Sequence, residues 1–258
     1  MRIGVAATAQ LGADVLERLA GTHEIAFLLT RPDAPRGRGR RLAPPPAKDA
    51  AGRLSIPVHQ PEKPALPEDV GRVVVCAYGL YIPPRLLARS LFLNVHPSLL
   101  PRWRGAAPVE RAILAGDEET GVSIHETVAE LDAGPVAAQE RWAIGDADAG
   151  ETFARAAEAA ARLLDVVLED PQFEPQHGET TYAGKITPAD RELDLSDPVD
   201  AWRRVRALSP HIGARGELHG RRVTIWRARL EDGKLVPEVV QPDGRTRMGY
   251  DEFLRGLR

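Results

Sequence analysis

The first two-thirds of the chain alternates short apolar runs with amphipathic ones, and few folds accept that alternation. Ile3 to Ala7, Ile25 to Thr30, Val73 to Ala77 and Leu91 to Val95 are largely apolar on both faces. A strand that has lost its polar alternation belongs in a parallel sheet with helices on both sides. Between these runs Ala13 to Ala20 reads as a helix, and Pro108 opens another over Val109 to Leu114. The longest helical run, AGETFARAAEAAARLLDVVL over Ala149 to Leu168, puts Phe153, Ala156, Ala160, Leu163 and Leu164 on one stripe. Gly121 to Glu126 and Val136 to Ile144 alternate more and are expected as edge or antiparallel additions. The pattern predicts an open, doubly wound, Rossmann-like α/β sheet. Such sheets bind ligands at the carboxyl ends of their strands, near the switch in strand order. Residues 4 to 12 read GVAATAQLG; without a Gly-x-Gly-x-x-Gly turn, a nicotinamide dinucleotide is not the expected ligand.

The remaining third has a different texture. Residues 170 to 198 are polar, rich in turn formers and weakly periodic, as a linker is. Val199 to Leu208 follows as a short helix. Gly216 to His219, Arg222 to Arg229 and Leu235 to Val240 are predicted strands separated by glycine turns. The expected organisation is a larger domain over residues 1–180, a linker over 181–198 and a small β-rich domain over 199–258. An apolar share of 43% suffices for a core, and no apolar run approaches a membrane span. The amino terminus enters a strand pattern directly, where a signal peptide would show a cleavage site. The single cysteine, Cys76, allows no intramolecular disulfide and reads as a small buried hydrophobe. A soluble, cytoplasmic protein acting as a monomer is expected. With a net charge of −3, nucleic acid could be met only by local basic patches.

Chemistry concentrates at the end of the Leu91 run. Asn94 and His96 stand two residues apart on a strand, so their side chains share one face. There they could offer a carbonyl a hydrogen-bond donor and a general base together, which suits acyl-type transfer. The loop PSLLPRWRG (97–105) brings cationic and aromatic groups beside the pair. A second constellation is TRPDAPRGRGRRLAPPPAK over Thr30 to Lys48. It sets Arg31, Arg36, Arg38, Arg40, Arg41 and Lys48 against one acid, Asp33. Its prolines forbid a continuous helix and its glycines favour a mobile arm, suited to gripping phosphates. A third is Leu131-Asp132-Ala133-Gly134-Pro135, where a carboxylate could orient an imidazole and relay a proton. The seven histidines show no ligand spacing, so no metal is expected. No Gly-x-Ser-x-Gly elbow exists, which speaks against a covalent nucleophile.

In these motifs the chain resembles the methionyl-tRNA formyltransferases, within the folate-dependent formyltransferases. The likeness runs through TRPDAPRGRGRRL (30–42), AYGLYIPPRLL (77–87), NVHPSLLPRWRGAAPVERAI (94–113), GDEETGVSI (116–124), LDAGPV (131–136), TYAGKI (181–186), QPDGRTRM (241–248) and EFLRG (252–256). It implies formyl transfer from 10-formyltetrahydrofolate to the amino group of initiator methionyl-tRNA, without a metal. Asn94 and His96 would stabilise the charge on the formyl oxygen, and Asp132 would orient His96 and help remove the amine proton. The resemblance implies a folate pocket lined by Ala77, Tyr78, Gly79 and Leu80 with Ser98, Leu99, Leu100 and Pro101. It gives the tRNA contacts to Arg36, Arg38, Arg40, Arg41, Arg102 and Arg104, extended by the second domain. Three departures stand out: AATAQLG (6–12) replaces the usual Gly-Thr-Pro-x-Phe turn, His125 occupies a usually apolar position, and the second domain is short enough to leave its barrel open. The last two fit an alternative, formylation of an amino-sugar nucleotide or another small amine.

Overall fold

The structure is a computed structural model, and it describes residues 1–36 and 41–257. In chain order the elements are β1 (Arg2–Ala7), α1 (Gln10–Leu19), β2 (Glu24–Leu29), β3 (Ala34–Arg36), β4 (Arg41–Ala43), α2 (Pro46–Arg53), β5 (Val58–His59), β6 (Arg72–Cys76), α3 (Pro84–Leu87) and β7 (Leu91–His96). There follow β8 (Arg104–Gly105), α4 (Pro108–Ala115), β9 (Glu119–Glu126), β10 (Val136–Ala143), α5 (Ala149–Val167) and β11 (Tyr182–Ala183). The chain closes with α6 (Pro198–Leu208), β12 (Ala214–Leu218), β13 (Arg221–Glu231), β14 (Lys234–Pro242), β15 (Met248–Gly249) and α7 (Tyr250–Arg255).

Seven strands form one sheet in the order β10-β9-β7-β6-β1-β2-β5. β1 lies parallel to β2 and β6, and β6 lies parallel to β7, while β9 runs antiparallel to β7. The expected parallel core and antiparallel addition are both present. The chain winds outward from β1 through β2 to β5, then returns to β6 on the other side. The switch in strand order therefore falls between β1 and β6. Two glycines make the close approaches this needs. A Cβ on Gly4 would stand 2.4 Å from the Phe27 ring, and one on Gly12 would stand 2.5 Å from the Cys76 carbonyl oxygen. Gly12 thus seats α1 directly on the sheet. Cys76 is buried, as expected, and burial pushes its thiol pKa up.

Helix ends follow their sequence signals. Glu151 N donates to Asp148 Oδ1 and Asp148 N donates to Glu151 Oε2, both at 2.9 Å, a capping box that opens α5. Asp197 accepts from Asp200 N to cap α6, and Pro198 takes the first turn. The Thr30–Lys48 segment is more regular than its prolines imply. Ala34–Arg36 pairs antiparallel with Arg41–Ala43, and Pro46 begins α2.

The described residues divide into two compact units. One comprises Met1–Arg104, Gly121–Arg141 and Ala154–Thr181; the other comprises Gly105–Thr120, Trp142–Phe153 and Tyr182–Arg258. The division is discontinuous, whereas the sequence reading places a single cut near residue 180. In the second unit β12, β13, β14 and β15 form an open four-stranded antiparallel sheet in that order. The sheet is not closed into a barrel. Residues 182–198 make specific contacts within this unit: Arg111 donates to the Gly184 and Lys185 carbonyls and pairs with the Asp190 carboxylate at 2.8 Å. That guanidinium holds the Asp190 carboxyl well below the usual carboxylate range.

Candidate active site

β7 ends at the switch-point side of the sheet, and Asn94 and His96 are its final outward pair on one face. Asp132 reaches them from the turn between β9 and β10. His96 is 4% exposed, and its Nε2 lies 2.8 Å from the Trp103 carbonyl oxygen. A carbonyl can only accept, so Nε2 carries the proton and Nδ1 of the neutral ring is free to take one. Nδ1 faces Asp132 Oδ2 at 3.7 Å. That separation is too long for a direct hydrogen bond but suits attraction to an imidazolium, or one bridging water.

His125, on β9 opposite Asn94, completes the cluster. Its Nδ1 lies 2.8 Å from the Glu126 carbonyl oxygen and so holds that ring's proton. Its Nε2 must then accept, and it does so from Asn94 Nδ2 at 3.0 Å. Asn94 Nδ2 also donates to Asp132 Oδ1 at 3.3 Å. Two acceptors on one side fix the amide orientation. Burial foremost, and the neighbouring His96 next, lower the His125 pKa to about 4 against the pull of Asp132. At neutral pH His125 is an uncharged acceptor.

The groups that flank His96 come from strained backbone. Asp132 has φ 50° and Trp103 has φ 64°, both left-handed and neither a glycine. Such strain concentrates at functional sites.

The folate-pocket expectation falls on two loops at the carboxyl ends of β6 and β7. After β6, Ala77 (φ 48°) and Gly79 are exposed and Leu80 is half-buried. Tyr78 instead turns into the apolar core beside Phe27, Val75, Ile82 and Phe92, where burial raises its pKa. After β7, Leu99 is half-buried, while Ser98, Leu100 and Pro101 are buried. Ser98 donates to the Arg102 carbonyl at 2.7 Å. Ser123 receives Leu100 N at 3.1 Å and donates to the Ser98 carbonyl at 2.6 Å, pinning the loop.

The cations expected at tRNA separate. Arg38 and Arg40 lie outside the described residues, as does the side chain of Arg36. Arg41 is exposed. Arg102 is exposed, its guanidinium 4.6 Å from the Trp103 ring centre. Arg104 is committed inward: its side chain is 11% exposed and donates to Gln176 Oε1 at 2.7 and 3.1 Å. Lys48 is held by Asp33 at 2.8 Å and by Gln60 at 2.9 Å. Sequence reasoning did not single out Gln176, and it gave no role to Thr181 within the TYAGKI run or to the Trp103 carbonyl. Each meets or offers a backbone group of a distant segment, so no local pattern marks the contact.

Residues 1–167 match the family model described as formyl transferase. The chain is 38% identical to a methionyl-tRNA formyltransferase from Cereibacter sphaeroides (strain ATCC 17025 / ATH 2.4.3), over 292 aligned positions covering 100% of this chain and 96% of the relative. Since this chain has 258 residues, the relative carries stretches that it lacks. Among solved structures, the methionyl-tRNA formyltransferase from Clostridium thermocellum superposes with a TM-score of 0.66 at 16% identity, covering 94% of this chain and 98% of that one. HypX from Aquifex aeolicus in complex with tetrahydrofolic acid gives a TM-score of 0.69 at 17% identity. That match covers 98% of this chain and 46% of HypX, so this chain spans about half of that longer protein. Both structural matches show a shared fold.

Proposed function

The chain belongs to the methionyl-tRNA formyltransferase family of folate-dependent formyl transferases, and from that premise we propose that it moves a formyl group from 10-formyltetrahydrofolate to the amino group of initiator methionyl-tRNA. The observation that carries the reading is the Asn94, His96 and Asp132 cluster at the end of β7, with Nδ1 of His96 turned toward the carboxylate.

The chemistry needs little beyond this cluster. A new N–C bond forms as the donor's N–C bond breaks, and the proton leaving the attacking amine is the one the departing nitrogen requires. His96 Nδ1 can hold it in between, with Asp132 Oδ2 attracting the imidazolium so formed or reaching it through one water. Negative charge grows on the formyl oxygen, where Asn94 Nδ2 is the nearby donor. Both of its protons are bonded in this structure, to His125 and Asp132, so donation to the formyl oxygen exchanges for one of them. The loops at 77–80 and 97–101 supply peptide groups and the Leu80 and Leu99 side chains to hold the folate. The exposed arginines Arg41 and Arg102, with Arg36, Arg38 and Arg40, supply charge for the acceptor end of the tRNA. Residues 199–258, in the open antiparallel sheet unit, add a further contact to the tRNA.

The test is direct. Purified protein with 10-formyltetrahydrofolate should yield formylmethionyl-initiator-tRNA, at a rate that falls steeply with added salt. Formylation of an amino-sugar nucleotide with none of methionyl-tRNA would overturn the assignment.

A further inference from the structure

Asp132 and Trp103, whose groups stand on either side of His96, both hold left-handed backbone. For non-glycine residues such backbone is unfavourable and persists only where the surroundings impose it. Here the surroundings are one short stretch after α5. Glu174 and Val136 exchange two backbone hydrogen bonds, at 2.8 and 2.9 Å, which dock the stretch beside the Asp132 turn. Gln176 Nε2 then donates to the carbonyls of Asp132 and Gly134, each at 2.8 Å. Its Oε1 accepts twice from Arg104. Five residues on, Thr181 Oγ1 accepts from Trp103 N at 2.9 Å, and the Thr181 carbonyl accepts from Arg104 N at 2.9 Å.

We propose that Gln176, assisted by Thr181, is a positioning residue for the formyl-transfer centre: it fixes the Asp132 turn so that the carboxylate faces His96 and Asn94. Gln176 bonds no member of the cluster through its reactive atoms; it acts on Asp132 through the peptide carbonyl. Its amide suits the place because one end must donate to two carbonyls while the other accepts a guanidinium. No other side chain of that length does both. The kinetic part of the inference rests on the activity proposed above.

Gln176→Glu separates positioning from bulk stability. The carboxylate keeps the Arg104 pair and nearly the same shape, so the fold holds. Its second oxygen, however, meets two carbonyl oxygens where an N–H stood. We expect kcat to fall about 10–100-fold, with both KM values within about threefold, as a small misplacement of a reacting group does. Gln176→Ala should match it, and Thr181→Val should cost about fivefold, the worth of one hydrogen bond. Ring-nitrogen NMR of histidine-labelled protein, without substrate, gives a second reading. The His96 and His125 resonances should move in Gln176→Glu while those of His211 and His219 stay. A folded Gln176→Glu protein with kcat within twofold of wild type, or with unmoved His96 and His125 resonances, overturns the proposal. Should the wild type formylate no tRNA, the assigned activity fails, and the ring resonances alone decide for or against the positioning role.

Discussion

His96 and His125 stand 6.3 Å apart, ring centre to ring centre, and the carbonyls they meet give them opposite jobs. His96 donates from Nε2 and keeps Nδ1 for a proton; His125 donates from Nδ1 and keeps Nε2 to receive Asn94. Removing any member of the transferring cluster should be costly with folding intact. Asn94→Ala is expected to lose about 10²–10³ in kcat as a lost donor to the formyl oxygen. His96→Ala and Asp132→Asn should each lose about 10²–10⁴ as lost proton handling, measured by initial rates on methionyl-tRNA. A rate within a few-fold of wild type would remove that residue from the chemistry. His125 carries a stability prediction instead. Unfolded, it takes a proton near pH 6.5; folded, burial and the facing His96 outweigh Asp132 and delay that to about 4. Between those values the unfolded chain holds the extra proton. The contribution of His125 is therefore complete above about pH 6.5 and lost as the pH falls toward 4. Urea midpoints at pH 7.5 and 5 should differ by less in His125→Gln, which cannot titrate. Equal differences in the two proteins would mean that His125 is not the group responsible.

At the scale of elements, the close seating of α1 is the most exposed dependency. Gly12→Ala would drive a Cβ into the Cys76 carbonyl and the Ala7 side chain, backbone and core atoms that cannot swing aside. A loss of about 1–3 kcal/mol is expected, read as a lower thermal midpoint. The elements themselves were largely legible. The run Ala149–Leu168 is the helix Ala149–Val167, and Leu91–Val95 is the strand Leu91–His96, because period and burial agree there. What escaped follows from local chemistry. Pro44, Pro45 and Pro46 read as breakers, yet Pro46 sits in the first turn of α2, where a missing N–H costs nothing. The antiparallel pair of Ala34–Arg36 with Arg41–Ala43 hid behind charge, since its strands bury almost nothing. The cluster divides the same way. Asn94 and His96 were visible as side chains two apart on a strand, and Asp132 through its Leu-Asp-x-Gly motif. The Trp103 carbonyl, the Gln176 amide and the bond from Asn94 to His125 exist only once distant segments meet.

For the molecule as a whole, a net charge of −3 must be reconciled with a polyanionic substrate. Counting cations overstates the means, because some are held by partners within the protein. Lys48 is neutralised by Asp33, and Arg104 lies between Gln176 Oε1 and Glu130. Cations at the surface should therefore govern the salt dependence, and those turned inward should not. Arg41→Ala and Arg102→Ala are expected to raise KM for tRNA and each to lower the slope of log(kcat/KM) against log salt by about one, the signature of one lost phosphate contact. Arg104→Ala should leave that slope alone and depress kcat, because it frees Gln176 and loosens the turn that carries Asp132. Initial rates across a salt series, with the three variants side by side, distinguish the two roles. If Arg104→Ala also takes about one from the slope with kcat preserved, Arg104 leaves Gln176 to meet a phosphate, and its place in the catalytic scaffold is lost. Divergent behaviour of two arginines separated by one tryptophan would show that burial, more than sequence position, decides which charges of the RWRG run reach the substrate.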